Sequence, residues 1–453
     1  MRGLRNLYYR SSWYEVFNFS SEAARARSYL LLQVMISAIV GGFTGGVFYT
    51  GYLVGHGINI VNISILTVIP YATCLFSLLT PYILERFPKR RWVLSIARLS
   101  YFTIQILGVS LLPLVVHSEN GRIIGLVIIV FVANTINFLF SGYSPWHMPY
   151  ITPDVRMNYF AATTLVSSVT STVFLVITSI VTDRLNADHQ LTLISILRYV
   201  AYGLVFLDVY FLQKPREPEY LTTADKPKLL DIFRLPISNK PFRLSMLIVF
   251  FYQFGLNLSA SVLNTWLLKT VGTGYLYINV INALWPLFIM LTSRIWNRVM
   301  QKMGTFSALA FIAVILSPTY FVYAFVNSTN FFWLMTAVRL VQHGVSMLQT
   351  YSAGNIIYIS LPEKDQTNYI SFHTVVANAG IFCSMMAGTG VVAIMGERTF
   401  HLFGISFDCV QVLLLATGVM YLFLAGLITI LKRKLPQEGA KKELPPAAET
   451  AET

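Results

Sequence analysis

The chain has 453 residues, 55% of them hydrophobic and 12% charged, where a soluble domain carries about 45–50% and about 25%. Its long continuous apolar runs exclude a soluble globule and also a transmembrane barrel, whose strands alternate with period two. Twelve spans of about 20 residues each consume roughly 240 residues, which leaves no room for a catalytic domain outside the bilayer, and the net charge of +13 is distributed as a topology signal rather than as a nucleic-acid surface.

Residues 1–28 lack the apolar core of a signal peptide and mix Arg2, Arg5, Arg10, Arg25 and Arg27 with Tyr8, Tyr9, Trp13, Tyr14 and Phe17. That composition describes a short interfacial segment lying on the membrane. Apolar runs then predict spans at 29–54, 62–84, 92–116, 123–145, 158–182 and 190–213. A polar stretch, 214–243, with seven Lys and Arg, separates these from spans at 244–268, 275–298, 305–326, 329–353, 369–396 and 407–431. The tail from Lys432 to Thr453 is low in hydrophobes and is expected to be disordered. The expected fold is an all-α integral membrane protein of twelve transmembrane helices in two pseudo-symmetric six-helix bundles, 29–213 and 244–431.

Of the 33 Lys and Arg, 26 fall on the side of the N-terminus, three lie inside spans, and four (Arg122, Arg184, Lys269 and Arg398) fall on the opposite side. The positive-inside rule therefore places both termini in the cytoplasm, with the plasma membrane as the expected location. Cys74, Cys383 and Cys409 all sit in apolar runs, so no loop offers a disulfide pair or a metal-ligand spacing.

The two halves repeat one another. Tyr150-Ile-Thr-Pro153-Asp154-Val-Arg156-Met-Asn158-Tyr159 follows the fourth span, and Tyr358-Ile-Ser-Leu-Pro362-Glu363-Lys-Asp-Gln-Thr-Asn368-Tyr369 follows the tenth. Pro153 and Pro362 are 209 apart, Tyr159 and Tyr369 are 210 apart, and Arg86 and Arg294, after the second and eighth spans, are 208 apart. Asp154 and Glu363 are expected to cap helices or to pair with the loops holding Arg86 and Arg294.

Six plus six helices, a basic central loop and a charged loop after the second span resemble the major facilitator superfamily over nearly the whole chain. That family's loop reads Gly, three residues, Asp-Arg, one residue, Gly and two basic residues. Here the stretch is Pro81-Tyr-Ile-Leu-Glu85-Arg86-Phe-Pro88-Lys89-Arg90, which keeps the acid, the Arg and the basic pair and replaces both glycines with proline. The resemblance implies a cytoplasmic latch at Glu85 and Arg86, and the cytoplasmic loops add Arg90, Asp154, Arg156, Arg294 and Glu363 to the expected gate. It also implies that the first, fourth, seventh and tenth helices line a central path.

All twenty acidic residues fall in loops, tails or span ends, with Asp208 and Asp408 nearest the hydrocarbon, so no span is expected to carry a midplane carboxylate. The embedded charges are basic: Arg98, Arg198 and Arg339. Arg98 and Arg198 lie roughly 10 to 12 Å from a span end, within snorkelling reach, and are read as structural. Arg339 lies roughly 15 Å deep, where an unpaired Arg costs at least about 2.5 to 3.5 kcal/mol, and His343 stands one turn along the same face. With the amides Gln33, Asn134, Asn137, Gln253 and Asn257 on the same set of spans, these two form the expected substrate site. Asn279 and Asn282 mark a further cavity candidate in the eighth span.

The reading is a secondary transporter that moves a small polar or anionic organic solute by rocking two halves about a midplane site. Its partners are the solute, the bilayer and a coupling proton or ion, with no nucleic acid and with the chain acting as a monomer. No P-loop, zinc spacing or buried carboxylate pair points to catalysis or to a cofactor. Two alternatives stand beside it: export of amphiphilic drugs or lipids, which 14% aromatic residues would suit, and a non-transporting receptor or assembly partner on the same scaffold.

Overall fold

A computed structural model describes residues 14 and 16–435, apart from 85, 88, 218–228, 363–365, 397 and 403. The first half comprises α1 (Glu22–Thr44), α2 (Gly46–Gly55), α3 (Ile60–Thr73), α4 (Thr80–Leu84), α5 (Arg90–Phe102), α6 (Val109–Val115), α7 (Glu119–Asn137), α8 (Tyr143–His147), α9 (Pro153–Thr182) and α10 (Ala187–Gln213). After α11 (Leu229–Ser238), the second half comprises α12 (Lys240–Asn257), α13 (Ala260–Trp266), α14 (Tyr275–Met303), α15 (Thr305–Tyr323), α16 (Phe331–Ile359), α17 (Gln366–Met395) and α18 (Cys409–Leu431). A small hairpin of β1 (Phe400–Leu402) and β2 (Ile405–Phe407) joins the last two helices, with Phe400 opposite Phe407.

The helix starts follow capping chemistry. Ser21, Asn59, Asn186 and Asn239 each accept a backbone N–H with a side-chain oxygen, and Asp408 forms a reciprocal capping box with Gln411. The chain bends where the sequence weakens the helix. The first span breaks at Gly45, followed by Gly46 at φ +53°, a conformation that a β-carbon resists. The seventh breaks between Asn257 and Ala260, the equivalent place in the second half.

Among the described residues, eleven stretches are long and apolar enough to cross a membrane, matching eleven of the expected spans. The tenth expected span corresponds to α16, whose 29 residues include Arg339, Gln342 and His343, and these polar side chains lower its apolar character. Helix α14 runs five residues past the expected end of its apolar run and carries Arg294, Arg298 and Lys302 on its final turns, because a helix need not stop where the hydrocarbon does.

The cores divide unequally between the two ends of the molecule. At the end away from the termini, one apolar core runs through both halves, joining Phe48, Tyr52, Ile63 and Leu66 to Val262, Trp266, Tyr275 and Val392. At the end near the termini there are two cores, one per half: Leu30, Leu94, Trp146 and Tyr159 in the first, and Phe242, Leu309, Ile356 and Tyr369 in the second. Side-chain hydrogen bonds that join the halves among the described residues lie at the distal end. The Asp183 carboxylate accepts from the backbone N–H groups of Tyr275 and Leu276, both at 2.9 Å. Asn279 Nδ2 donates to Ser179 Oγ at 2.8 Å, and Ser64 bonds Thr389 through their hydroxyls. The stacked Phe48 and Tyr275 rings, 5.4 Å apart, fill the same seam.

Candidate functional site

Helices α1, α2, α3, α5 and α7 line a cavity of about 470 Å³ in the first half, open on one side. Its wall includes Ser37, Tyr49, Thr67, Arg98, Gln105 and Asn137. A turn of π-helix over Thr103–Gly108 separates α5 from α6; this wide turn carries Gln105, and such turns often mark functional positions. A second cavity of about 300 Å³ shares Pro70 and Asn137 with the first and reaches Asn378 of α17 in the other half.

Arg98 borders the larger cavity and is held from behind. Its Nε donates to Asp208 Oδ2, its Nη2 donates to Asp208 Oδ1 at 3.1 Å and to Ser37 Oγ at 2.9 Å, and Gln33 Nε2 donates to Asp208 Oδ1 at 2.7 Å. Asp208 is fully buried and Arg98 is 7% exposed. The Phe102, Phe140 and Tyr143 rings stand 5.3, 5.4 and 5.5 Å from the guanidinium carbon, close enough for cation–π attraction. Asp208, expected as an acid near a span end, is instead a fully buried partner of Arg98. Asp208 lies only five residues from the end of α10, yet it is buried because α1 and α5 pack over it and supply Gln33 and Arg98.

Arg198 lies behind the cavity wall, fully buried. Its Nε donates to Ser110 Oγ at 2.8 Å and its Nη2 to the Gln105 carbonyl at 3.4 Å, while Tyr52 and Tyr49 present their rings at 4.7 and 5.8 Å. Arg198 Nη1, Tyr49 OH and Gln105 Oε1 are buried without a hydrogen-bond partner, so the wall holds unspent polar capacity. Neither Arg98 nor Arg198 snorkels: one is paired with a carboxylate and the other is boxed in by rings.

The remaining expected site residues are dispersed. Gln33 anchors Asp208. Asn134 spends its amide on the Val130 carbonyl of its own helix at 2.8 Å and lines the smaller cavity, whereas Asn137 lines both. Asn257 Nδ2 donates to the backbone carbonyl of Gln253 at 2.8 Å and lies 3.5 Å from the Gln253 side-chain oxygen, so its amide is used within α12. Asn279 belongs to the distal seam. Arg339 donates to Gln342 Oε1 at 3.2 Å and lies 5.3 Å from the Tyr323 ring, with its Nε unpartnered. His343 Nε2 meets the Ile281 carbonyl at 3.1 Å. Neither Arg339 nor His343 borders the two cavities.

Of the expected latch residues, Arg86, Arg156 and Arg294 are exposed and Arg90 is buried at the start of α5. Glu85, Glu363 and the Asp154 side chain lie outside the described residues, as do residues 1–13 and 436–453. Sequence reasoning missed the Arg98–Asp208 pair. The available signal was a single acid inside the apolar stretch Leu204-Val-Phe-Leu-Asp208-Val-Tyr-Phe-Leu212, where an ionised side chain needs a partner.

No family model and no curated protein matches the chain. Solved structures do match in fold. The nucleoside transporter NupG superposes with a TM-score of 0.66 at 13% identity, over 89% of this chain and 98% of its own. A bacterial homologue of the iron transporter ferroportin, in an inward-facing state, gives 0.66 at 14% over 90% and 98%. A D-xylose-proton symporter gives 0.62 at 13% over 90% and 98%. The shared architecture is the major facilitator fold that the sequence resemblance implies.

Proposed function

We propose that the chain is a secondary transporter that moves a small polar or anionic organic solute by alternating access, with the solute received in the cavity bordered by Arg98. One observation carries this reading: the charge balance around that cavity. Two guanidiniums, Arg98 and Arg198, stand at or behind its wall against one carboxylate, Asp208. A bound carboxylate or phosphate would balance the remaining positive charge, and Arg is suited to both groups by its planar fork. In the second half, Arg339 has no carboxylate within ion-pair distance among the described residues, so it remains a second proposed anion contact, set apart from the two cavities, with His343 one turn along α16.

The sealed distal seam and the separate cores near the termini correspond to a state open on the terminal side, which the positive-inside count assigns to the cytoplasm. Closing that side would bring the exposed Arg86, Arg156 and Arg294 toward the acids of the facing half, the role proposed for the latch. The fold relatives transport solutes of unrelated chemistry, so fold alone leaves the solute open.

The test is flux in proteoliposomes with a panel of small carboxylates and phosphates, uncharged solutes and hydrophobic cations. Uptake confined to the first two groups supports the reading. Flux of hydrophobic cations alone would favour an amphiphile exporter, which the rings of Tyr49, Tyr101, Phe102 and Phe140 in the same cavity wall could serve, and no flux for any solute would favour a receptor. Arg339→Gln in protein inserted at normal levels should lower anion flux; unchanged flux and pH dependence would remove Arg339 and His343 from the site.

A further inference from the structure

A third cleft, of about 410 Å³, lies apart from the transport cavity at the terminal face, where α1 begins and α10 ends. Its charged lining is Arg25, Lys214, Arg216 and Glu22, three cations against one carboxylate. The carboxylate does not cancel them: among the described residues Glu22 pairs with Arg216 alone, at 4.0 Å, with both side chains mostly exposed. Lys214 is steered by the Tyr210 ring, 4.5 Å from its ammonium.

The surroundings distinguish this cleft from a plain solvated patch. On the membrane side, α10 leaves it with an uncovered apolar stripe: Tyr210, Leu207, Phe206, Val200 and Ile196 are each between 47% and 52% exposed. These residues recur at helical spacing on one face, so the stripe continues from the cleft into the bilayer. A phosphate among three cations and an acyl chain along an apolar track are the two parts of one molecule.

We propose that this cleft binds the headgroup of an acidic phospholipid, with the phosphate between Arg25, Lys214 and Arg216 and one acyl chain lying along the exposed face of α10. The lipid would join the first turn of α1 to the last turn of α10, outside the transport cavity. Each surface cation contributes about fivefold to the affinity for an acidic lipid, and all three about 100-fold. Glu22 opposes the phosphate, so its removal should act in the opposite direction.

The full chain would be reconstituted in phosphatidylcholine nanodiscs with and without phosphatidylglycerol, extracted, and weighed by native mass spectrometry for retained lipid. Wild type should retain phosphatidylglycerol in preference to phosphatidylcholine. Retention should fall about 100-fold in Arg25→Gln/Lys214→Gln/Arg216→Gln and rise about fivefold in Glu22→Gln. Equal retention of the two lipids by wild type, or a Glu22→Gln variant that retains no more phosphatidylglycerol than wild type, overturns the proposal even if the triple variant fails to fold. Displacement of the lipid by millimolar inorganic phosphate would assign the cleft to free phosphate and overturn the lipid assignment.

Discussion

Replacing Asp208 with Asn isolates the worth of the buried cluster in the first half. In the native protein its carboxylate accepts two bonds from Arg98 and one from Gln33, with no exposure to solvent. Asn keeps one acceptor oxygen but turns an amide donor toward a guanidinium that can only donate, and it leaves the Arg98 charge buried without a counter-charge. Breaking one partner of such a pair costs about 3–5 kcal/mol. Asp208→Leu should cost at least as much, whereas Arg98→Leu/Asp208→Leu removes both charges and should recover most of that loss, since apolar replacement of a whole buried pair is often neutral or stabilising by about 1–4 kcal/mol. Denaturant unfolding in detergent of Arg98→Leu, Asp208→Leu and the double completes a mutant cycle. The double variant should fold and yet lose solute flux, because the cavity loses the polar edge made by Arg98. An Asp208→Asn protein with the wild-type unfolding midpoint, or a double variant no more stable than Asp208→Leu alone, would show that the buried pair is not what sets the cost.

Asp183→Ala removes an acid that caps α14 from across the seam, a loss of about 1–2 kcal/mol, and should shift the balance toward the distally open state by roughly 5- to 30-fold. The gain would be read as faster labelling, from the distal side, of a single cysteine at Thr67 in the cavity wall, and an unchanged rate would count against the seam as a gate. Single cysteines at Asn120 and Asn186, both exposed, should react with an impermeant thiol reagent outside intact cells, and one at Thr223 should not; the reverse pattern would invert the assigned orientation. His56, just beyond the first span, is held below its ordinary value of 6.5 by burial first and then by the charges of Arg122 and Arg198. The unfolded chain therefore takes up its proton at a higher pH than the native protein, so stability should fall as pH drops from about 6.5 toward the lowered value. His56→Gln should flatten that part of an unfolding-midpoint profile, and an identical profile would contradict the assignment.

The spans were legible because each must satisfy its backbone inside hydrocarbon, which imprints a long apolar run on the sequence. The expected 190–213 and 369–396 lie close to α10 and α17 for this reason. The hairpin at Phe400–Phe407 and the helix α11, Leu229–Ser238, left no comparable imprint, since neither crosses the bilayer and each is too short for a clear period. Local amide chemistry was legible only in part. Asn257 and Asn134 bond carbonyls four residues back, a use invisible to composition, while Gln33 serves a carboxylate 175 residues away. A separation of 110 residues likewise hid the partner of Arg98: an ion pair between the third and sixth spans depends on which helices are neighbours, and hydropathy does not encode neighbours.

The broken first and seventh spans carry a consequence for how the seam and the cavity move. As one rod, the 34-residue first span would be about 51 Å long and would act as a lever, so that any tilt at the distal seam swung Gln33 and Ser37 as well. The joint at Gly45 and Gly46 divides that lever. Its outer piece, α2, packs against α13 of the other half, itself the outer piece of a divided span, while the inner piece keeps hold of the Arg98–Asp208 cluster. The two outer pieces can therefore part or close as a pair of short shutters without gearing the polar cluster to their angle, and stiffening the joint with Gly46→Ala would couple solute occupancy directly to shutter position.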